Sequence, residues 1–214
     1  MTILDTLRAW LGVEAETGAN KAADPEDLFG MSTAYVTMAA DLDFESLDQG
    51  ALCFSDVDST DFTDTLENVR ELVEAGDEGT VAEVHRDSHG YHWVVLQDPD
   101  FEDLVVGVNA AADEFTVRGY GSRLLAAVFG FERHPDRFRS TADGDAQGEP
   151  ERAYWVYSFR RGAYYPFAPR AGNERDNGLE FKLRSVLEGE LDVEPDESYW
   201  YPLWPDADGG HPWE

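Results

Sequence analysis

The sequence predicts an α+β fold: an antiparallel sheet built from hairpins, with helices packed on one face. Three observations point there. Apolar, strand-like runs come in pairs separated by turn residues, and single stretches of helical periodicity follow the pairs. A composition 42% hydrophobic and 13% aromatic over 214 residues is also sufficient to bury a core.

Residues 2–11 set Ile3, Leu4, Leu7, Trp10 and Leu11 on one helical face. Residues 12–25, rich in Ala, Glu and Gly, read as a linker. Residues 1–25 therefore form an amphipathic helix and tether, and residues 26–214 one α+β domain, with a break into two subdomains near 118–122 as the alternative division. The helix has three destinations: the protein's own body, a partner, or peripheral contact with a membrane. The last suits it least, because an interfacial helix carries a basic polar face and this one has a single Arg8.

Residues 33–39 and 51–57 read as strands. A helix follows with Thr60 or Asp61 as N-cap, Phe62, Leu66, Val69 and Val73 on its apolar face, and Gly76 at its end. Residues 81–86 and 91–97 form a hairpin around Asp87-Ser88-His89-Gly90. The next helix starts from an Asp100 cap, turns Leu104, Val105, Val108, Ala111, Ala112 and Phe115 inward, and ends near Gly119. Residues 124–131 are nearly all apolar and mark a central buried strand. Residues 134–151 are polar and rich in Asp, Gly and Pro, a surface loop. Residues 154–159 and 163–167 make a second hairpin around Arg160-Arg161-Gly162. Asn173 caps a last helix carrying Leu179, Leu183, Val186 and Leu187, stopped by Gly189. The tail is aromatic and irregular, with Tyr199, Trp200, Tyr201, Trp204 and Trp213.

Charge is the outlier: 45 acidic against 16 basic residues, a net −29, with Lys21 and Lys182 the only lysines. A carboxylate-rich, lysine-poor surface stays hydrated in concentrated salt, where the Debye length falls to a few Å. The acid is spread along the chain rather than blocked, which favours salt adaptation over nucleic-acid mimicry or cation binding. Cys53 stands alone in an apolar run and reads as a buried, inert thiol. No 18-residue apolar stretch and no signal-peptide pattern occurs, so a cytoplasmic protein without a transmembrane segment is expected.

Two stretches hold candidate site residues. His85, His89 and His92 fall within eight residues, and the predicted turn sets His85 opposite His92, at the Cβ separation of about 4.5–5.5 Å that lets two imidazoles share a metal ion. No zinc motif matches this spacing, and the alternative is a hairpin with surface histidines. Residues 152–184 hold seven basic and three acidic side chains, a local +4, whereas residues 1–115 hold 4 basic and 27 acidic, or −23.

Arg160, Arg161, Tyr164, Tyr165, Arg170 and Arg175 in that basic stretch read as a partner-binding surface, since Arg and Tyr are enriched in interface hot spots. Nucleic acid is not expected, because the −29 field repels phosphate. The competing reading pairs the arginines with the chain's own carboxylates while the aromatics fill the core. The polar run 173–177 reads as helix capping. No GxxxxGK[ST], HExxH or GxSxG pattern occurs, so neither a catalytic residue nor a cofactor is expected.

The runs Arg160-Arg161-Gly162-Ala163-Tyr164-Tyr165-Pro166-Phe167-Ala168-Pro169, Arg175-Asp176-Asn177 with Glu180, Glu194-Pro195-Asp196 and Trp200-Tyr201-Pro202-Leu203-Trp204 resemble the PspA-associated protein PspAB family, known from actinobacteria and haloarchaea. Asp24-Pro25-Glu26-Asp27-Leu28-Phe29, residues 87–93 and residues 124–131 fit the same resemblance, and a haloarchaeal member matches the acidic composition. The resemblance implies a non-enzymatic accessory role in a phage-shock type of membrane-stress response. Its partner would be a PspA-like coiled-coil protein or an HtpX-like membrane protease. A small metal protein or enzyme built on the His85/His92 hairpin is the alternative.

Overall fold

Asp24 accepts a hydrogen bond from the Glu26 N–H at 3.0 Å, which caps a 3-10 turn, Pro25–Phe29. The structure, a computed structural model, describes residues 23–55, 60–76, 79–87, 90–134 and 150–204. The helix read at residues 2–11, His89, Trp213 and most of the loop read at 134–151 lie outside the described residues.

The turn runs straight into α1, Gly30–Leu42. The reading of residues 33–39 as a strand is corrected here. Met31, Ala34, Met38 and Leu42 recur at helical spacing and all four are buried, and that packing overrides the β-preference of Thr33, Val36 and Thr37. Asp43, left-handed at φ 57°, ends the helix and donates its N–H to the Met38 carbonyl.

The remaining elements are β1 (Glu45–Phe54), α2 (Thr60–Gly76), β2 (Val81–Arg86), β3 (His92–Gln97), α3 (Phe101–Val117), β4 (Leu124–Arg133), β5 (Glu151–Ser158), β6 (Ala163–Phe167), a two-stranded ribbon of β7 (Pro169–Arg170) and β8 (Glu174–Arg175), and α4 (Asn177–Leu187). Strand β1 begins six residues before the expected run, and α2 starts at Thr60, which places Thr60 and Asp61 inside its first turn. Asp100 caps α3 as expected, accepting from the Glu102 and Asp103 N–H groups. Asn173 does not cap α4. It sits left-handed, at φ 57°, between β7 and β8, and the cap is Asp176, whose Oδ1 accepts from Leu179 N–H at 3.0 Å.

The six long strands form one antiparallel sheet in the order β2-β3-β1-β4-β5-β6. This is the expected α+β architecture. Residues 118–122 join α3 to β4, and strands before and after them share this sheet. Strand β4 lies between β1 and β5 with residues 124–131 all buried, which is why its run is uninterrupted by polar residues.

On one face Leu52, Phe54, Val94, Leu96, Phe129 and Trp155 pack against the helices, where Leu66, Val69, Leu104, Val108 and Leu183 face them. Each such side chain contributes about 1.5–3 kcal/mol by leaving water. Helix α3 sits close to the sheet because two glycines allow it. A Cβ on Gly50 would lie 3.0 Å from Val108 Cγ2, and one on Gly107 2.9 Å from Leu96 Cδ2.

The opposite face is apolar as well. Cys53, Trp93, Val95, Val128, Tyr154, Val156 and Phe167 cluster there with Trp200 and Leu203 of the C-terminal segment. That segment is tied to β6 by a parallel bridge: Tyr164 N–H donates to Asp192 O and Glu194 N–H donates to Tyr164 O, both at 2.8 Å. Cys53 is buried and free, and burial pushes its thiol well above its ordinary pKa, the inert state expected of it.

Candidate functional site

The turn between β5 and β6 decides where the arginines go. Ser158 O accepts from both Arg161 N–H and Gly162 N–H, and Gly162 takes the left-handed φ of 62° that closes so tight a turn. This folds Arg161 back under the C-terminal segment. Its Nε donates to Glu194 Oε2 at 2.7 Å and its guanidinium lies 3.9 Å from the Tyr199 ring centroid. Arg161 is 6% exposed and Glu194 2%. The hydrogen bond to Glu194 holds the guanidinium above its ordinary pKa.

A second arginine ties the same layer together. Arg175 donates through Nε to Glu180 Oε1 at 2.9 Å, through Nη1 to Trp200 O at 2.6 Å and through Nη2 to Pro166 O at 3.4 Å, while lying over Phe167. Glu180 also accepts from Ala168 N–H at 2.8 Å. Burial holds the Glu180 carboxyl above the usual range even so.

The rest of the basic stretch follows the same rule. Arg160 donates to Ser122 O at 3.2 Å, Arg170 bridges Asp176, Arg184 reaches Glu197 and stacks on Trp200, and Arg152 faces Glu132. Carboxylates outside the stretch, at positions 132, 194 and 197, thus offset three of the four excess charges. The interleaved aromatics serve as stacking partners and core rather than as a platform for a ligand.

The six residues read as a partner-binding surface are therefore not exposed together. Arg161, Tyr164 and Tyr165 are buried, Arg160 and Arg175 turn their donors onto backbone and carboxylate oxygens of the chain, and Arg170 alone stands well exposed. Tyr164 and its neighbour Tyr157 hold the 3-10 turn Pro25–Phe29. Tyr164 Oη donates toward Asp27 O and Leu28 O, and Tyr157 Oη lies 2.9 Å from Asp27 Oδ2. Burial raises all three tyrosine hydroxyls far above their ordinary pKa, so they stay protonated at neutral pH.

The histidine hairpin is displaced by one residue from its expected register. His85 pairs with Trp93, and Arg86 pairs with His92. The cause is the turn: Asp87 N–H donates to Tyr91 O, Tyr91 N–H donates to Asp87 Oδ1, and Gly90 supplies a left-handed φ of 88°. An offset of one residue puts the two rings on opposite faces of the sheet. His85 faces Glu83 at 3.2 Å at the surface, while His92 stands edge-on to Phe62 in the helix layer. The described residues contain no group of three or more His, Cys, Asp or Glu able to hold a metal ion.

The family model of PspA associated protein B matches residues 1–213. The chain belongs to the PspAB family. No curated protein and no solved structure matches it. The family's name implies association with PspA, a protein partner. Among the described residues of this PspAB chain no helix is long and apolar enough to cross a membrane.

One surface of the PspAB chain escaped the sequence reading altogether. Opposite its buried stripe, α1 exposes Val36 (66%) and leaves Thr33, Ala39 and Ala40 in solvent, with Phe29 (44%), the last residue of the 3-10 turn, just ahead of them. Residues 29–40 contain no charged side chain, in a protein of which 29% is charged. Read as a strand, this run could not reveal a helix face. Its lack of charge was the signal available.

Proposed function

We propose that this chain is a non-enzymatic accessory protein of a PspA-type membrane-stress system, acting in the cytoplasm by binding a PspA-type protein. The observation that carries the proposal is the family match across residues 1–213. A second observation supports it. The polar side chains with the richest chemistry, Arg161, Glu194, Arg175 and Glu180, engage one another and the backbone, so their chemistry holds the C-terminal segment on the sheet. Work done by such a chain falls to its surface. The test is direct. The full chain and a PspA-type protein from the same genome are purified separately, mixed at fixed KCl, and measured by calorimetry and co-elution. A complex is expected, and its absence well above a micromolar dissociation constant refutes the reading.

A further inference from the structure

We infer that the exposed face of α1, Thr33, Val36 and Ala40, together with Phe29 at its N-cap, docks a single α-helix of the partner, one whose apolar seam is flanked by lysines or arginines. The inference deepens the association reading above and rests on it. Spacing is the first argument. The four residues are separated by four, three and four positions, the a/d interval of a helix-helix seam. At 100° per residue they fall within a stripe of about 60°, roughly 16 Å long. Met31, Ala34, Met38 and Leu42 occupy the other side, so α1 is packed on its own core and still presents a second apolar stripe.

Size and context argue next. Thr33, Ala39 and Ala40 are small, which lets a partner backbone come within the 8–10 Å interaxial distance of packed helices. Two other exposed apolar residues lack this continuity. Val106 on α3 stands beside Glu102 and Asp103, and Val117 ends the same helix shortly after Asp113 and Glu114. Such scattered residues are ordinary on a soluble surface, whereas an uncharged stripe along most of a helix is not.

Charge specifies the flanks of the occupant. The stripe is bounded by Glu26 before it, Asp41 and Asp43 after it, and Glu190 beside it, where Thr37 Oγ1 donates to Glu190 Oε1 at 2.6 Å. No basic residue lies in the last turn of α1, so Asp41 and Asp43 add to the negative end of the helix dipole rather than offsetting it. Cations flanking an incoming seam would neutralise that end, and a further acidic copy of this chain would not.

The experiment compares the full-length wild type, Val36→Asp combined with Ala40→Asp, and Val117→Asp, each titrated with the PspA-type protein at one KCl concentration. The positions are solvent-exposed, and circular dichroism checks that each variant is folded. Affinity for the double variant is expected to fall by at least about thirtyfold, the size of an interface hot spot, while Val117→Asp stays within about twofold. Equal binding by all three proteins overturns the α1 surface and leaves the association reading standing. A wild type that binds no PspA-type protein overturns both. Light scattering on each protein alone, and flotation with anionic vesicles, complete the test. A wild-type dimer that the double variant converts to monomer, or vesicle binding lost only in the double variant, assigns the face to another occupant and overturns the inference.

Discussion

Replacing Arg161 by methionine removes one half of an ion pair that has almost no access to water. Glu194 would keep the hydrogen bond from Asp196 N–H at 3.0 Å, but lose the guanidinium at 2.7 Å. Stripping one partner from a buried pair typically costs about 3–5 kcal/mol, because the remaining charge is uncompensated. For a chain of this length that corresponds to a fall in Tm of roughly 6–20 °C. The stacking of Arg161 on Tyr199 adds to the loss, and methionine, being apolar and of similar reach, limits the cavity left behind. Urea unfolding at constant KCl, followed by tryptophan fluorescence, measures the cost. Adding Glu194→Gln removes the stranded charge and keeps an acceptor for Asp196 N–H, so the double variant should be more stable than Arg161→Met alone. Arg170→Ala supplies the internal contrast. Its partner is Asp176, but the arginine is largely in solvent, and exposed pairs contribute at most about 1 kcal/mol. Should Arg161→Met cost no more than Arg170→Ala, or should Glu194→Gln bring no recovery, the C-terminal segment is not held by this pair and the reasoning fails.

Three further outcomes are expected. Burial pulls Asp176 up, but the Leu179 amide and the Arg170 guanidinium outweigh it and hold the carboxyl below the ordinary aspartate value. A depressed carboxyl contributes stability that is present above its unfolded pKa of about 3.9 and is lost as pH falls through the folded value. Acid titration of stability should therefore flatten in Asp176→Asn, which keeps a capping oxygen; an unchanged acid limb contradicts this. With −29 charges, stability should climb as KCl rises from about 0.1 M toward multimolar, as the Debye length shrinks from about 10 Å to 3 Å and below. Full stability in dilute buffer would count against that account of the surface. Finally, His85 and His92 lie on opposite faces of the sheet, so elemental analysis of protein purified without chelator should find no stoichiometric zinc or copper; one bound equivalent would reopen the hairpin as a metal site.

Local signals carried most of the fold. Residues 124–131 announce a central strand because a strand covered on both faces has no position for a polar side chain, and Asp100 marks the start of α3 because a short carboxylate caps orphan amides. The hairpin around Gly162 was legible for a similar reason, its turn requiring a residue free to adopt positive φ. Helix α1 was not legible. Thr33, Val36 and Thr37 favour a strand locally, and only a core waiting for Met31, Ala34, Met38 and Leu42 makes the helix the better state.

The sequence by itself settled composition, charge, family resemblance and element type wherever a periodic pattern or a cap is a local property of neighbouring residues. Register and partnership were decided only in three dimensions. The Asp87–Tyr91 hydrogen bonds, with Gly90 left-handed between them, set β2 against β3 one residue from the expected register and so separate His85 from His92. Arg161 meets Glu194 across 33 positions, and Arg175 meets the Trp200 carbonyl across 25, distances over which no spacing rule operates. Arg161 and Arg175 therefore looked like surface along the chain and became an interior clamp once the chain closed on itself, because buried charge is tolerated only where the fold brings its partner to it.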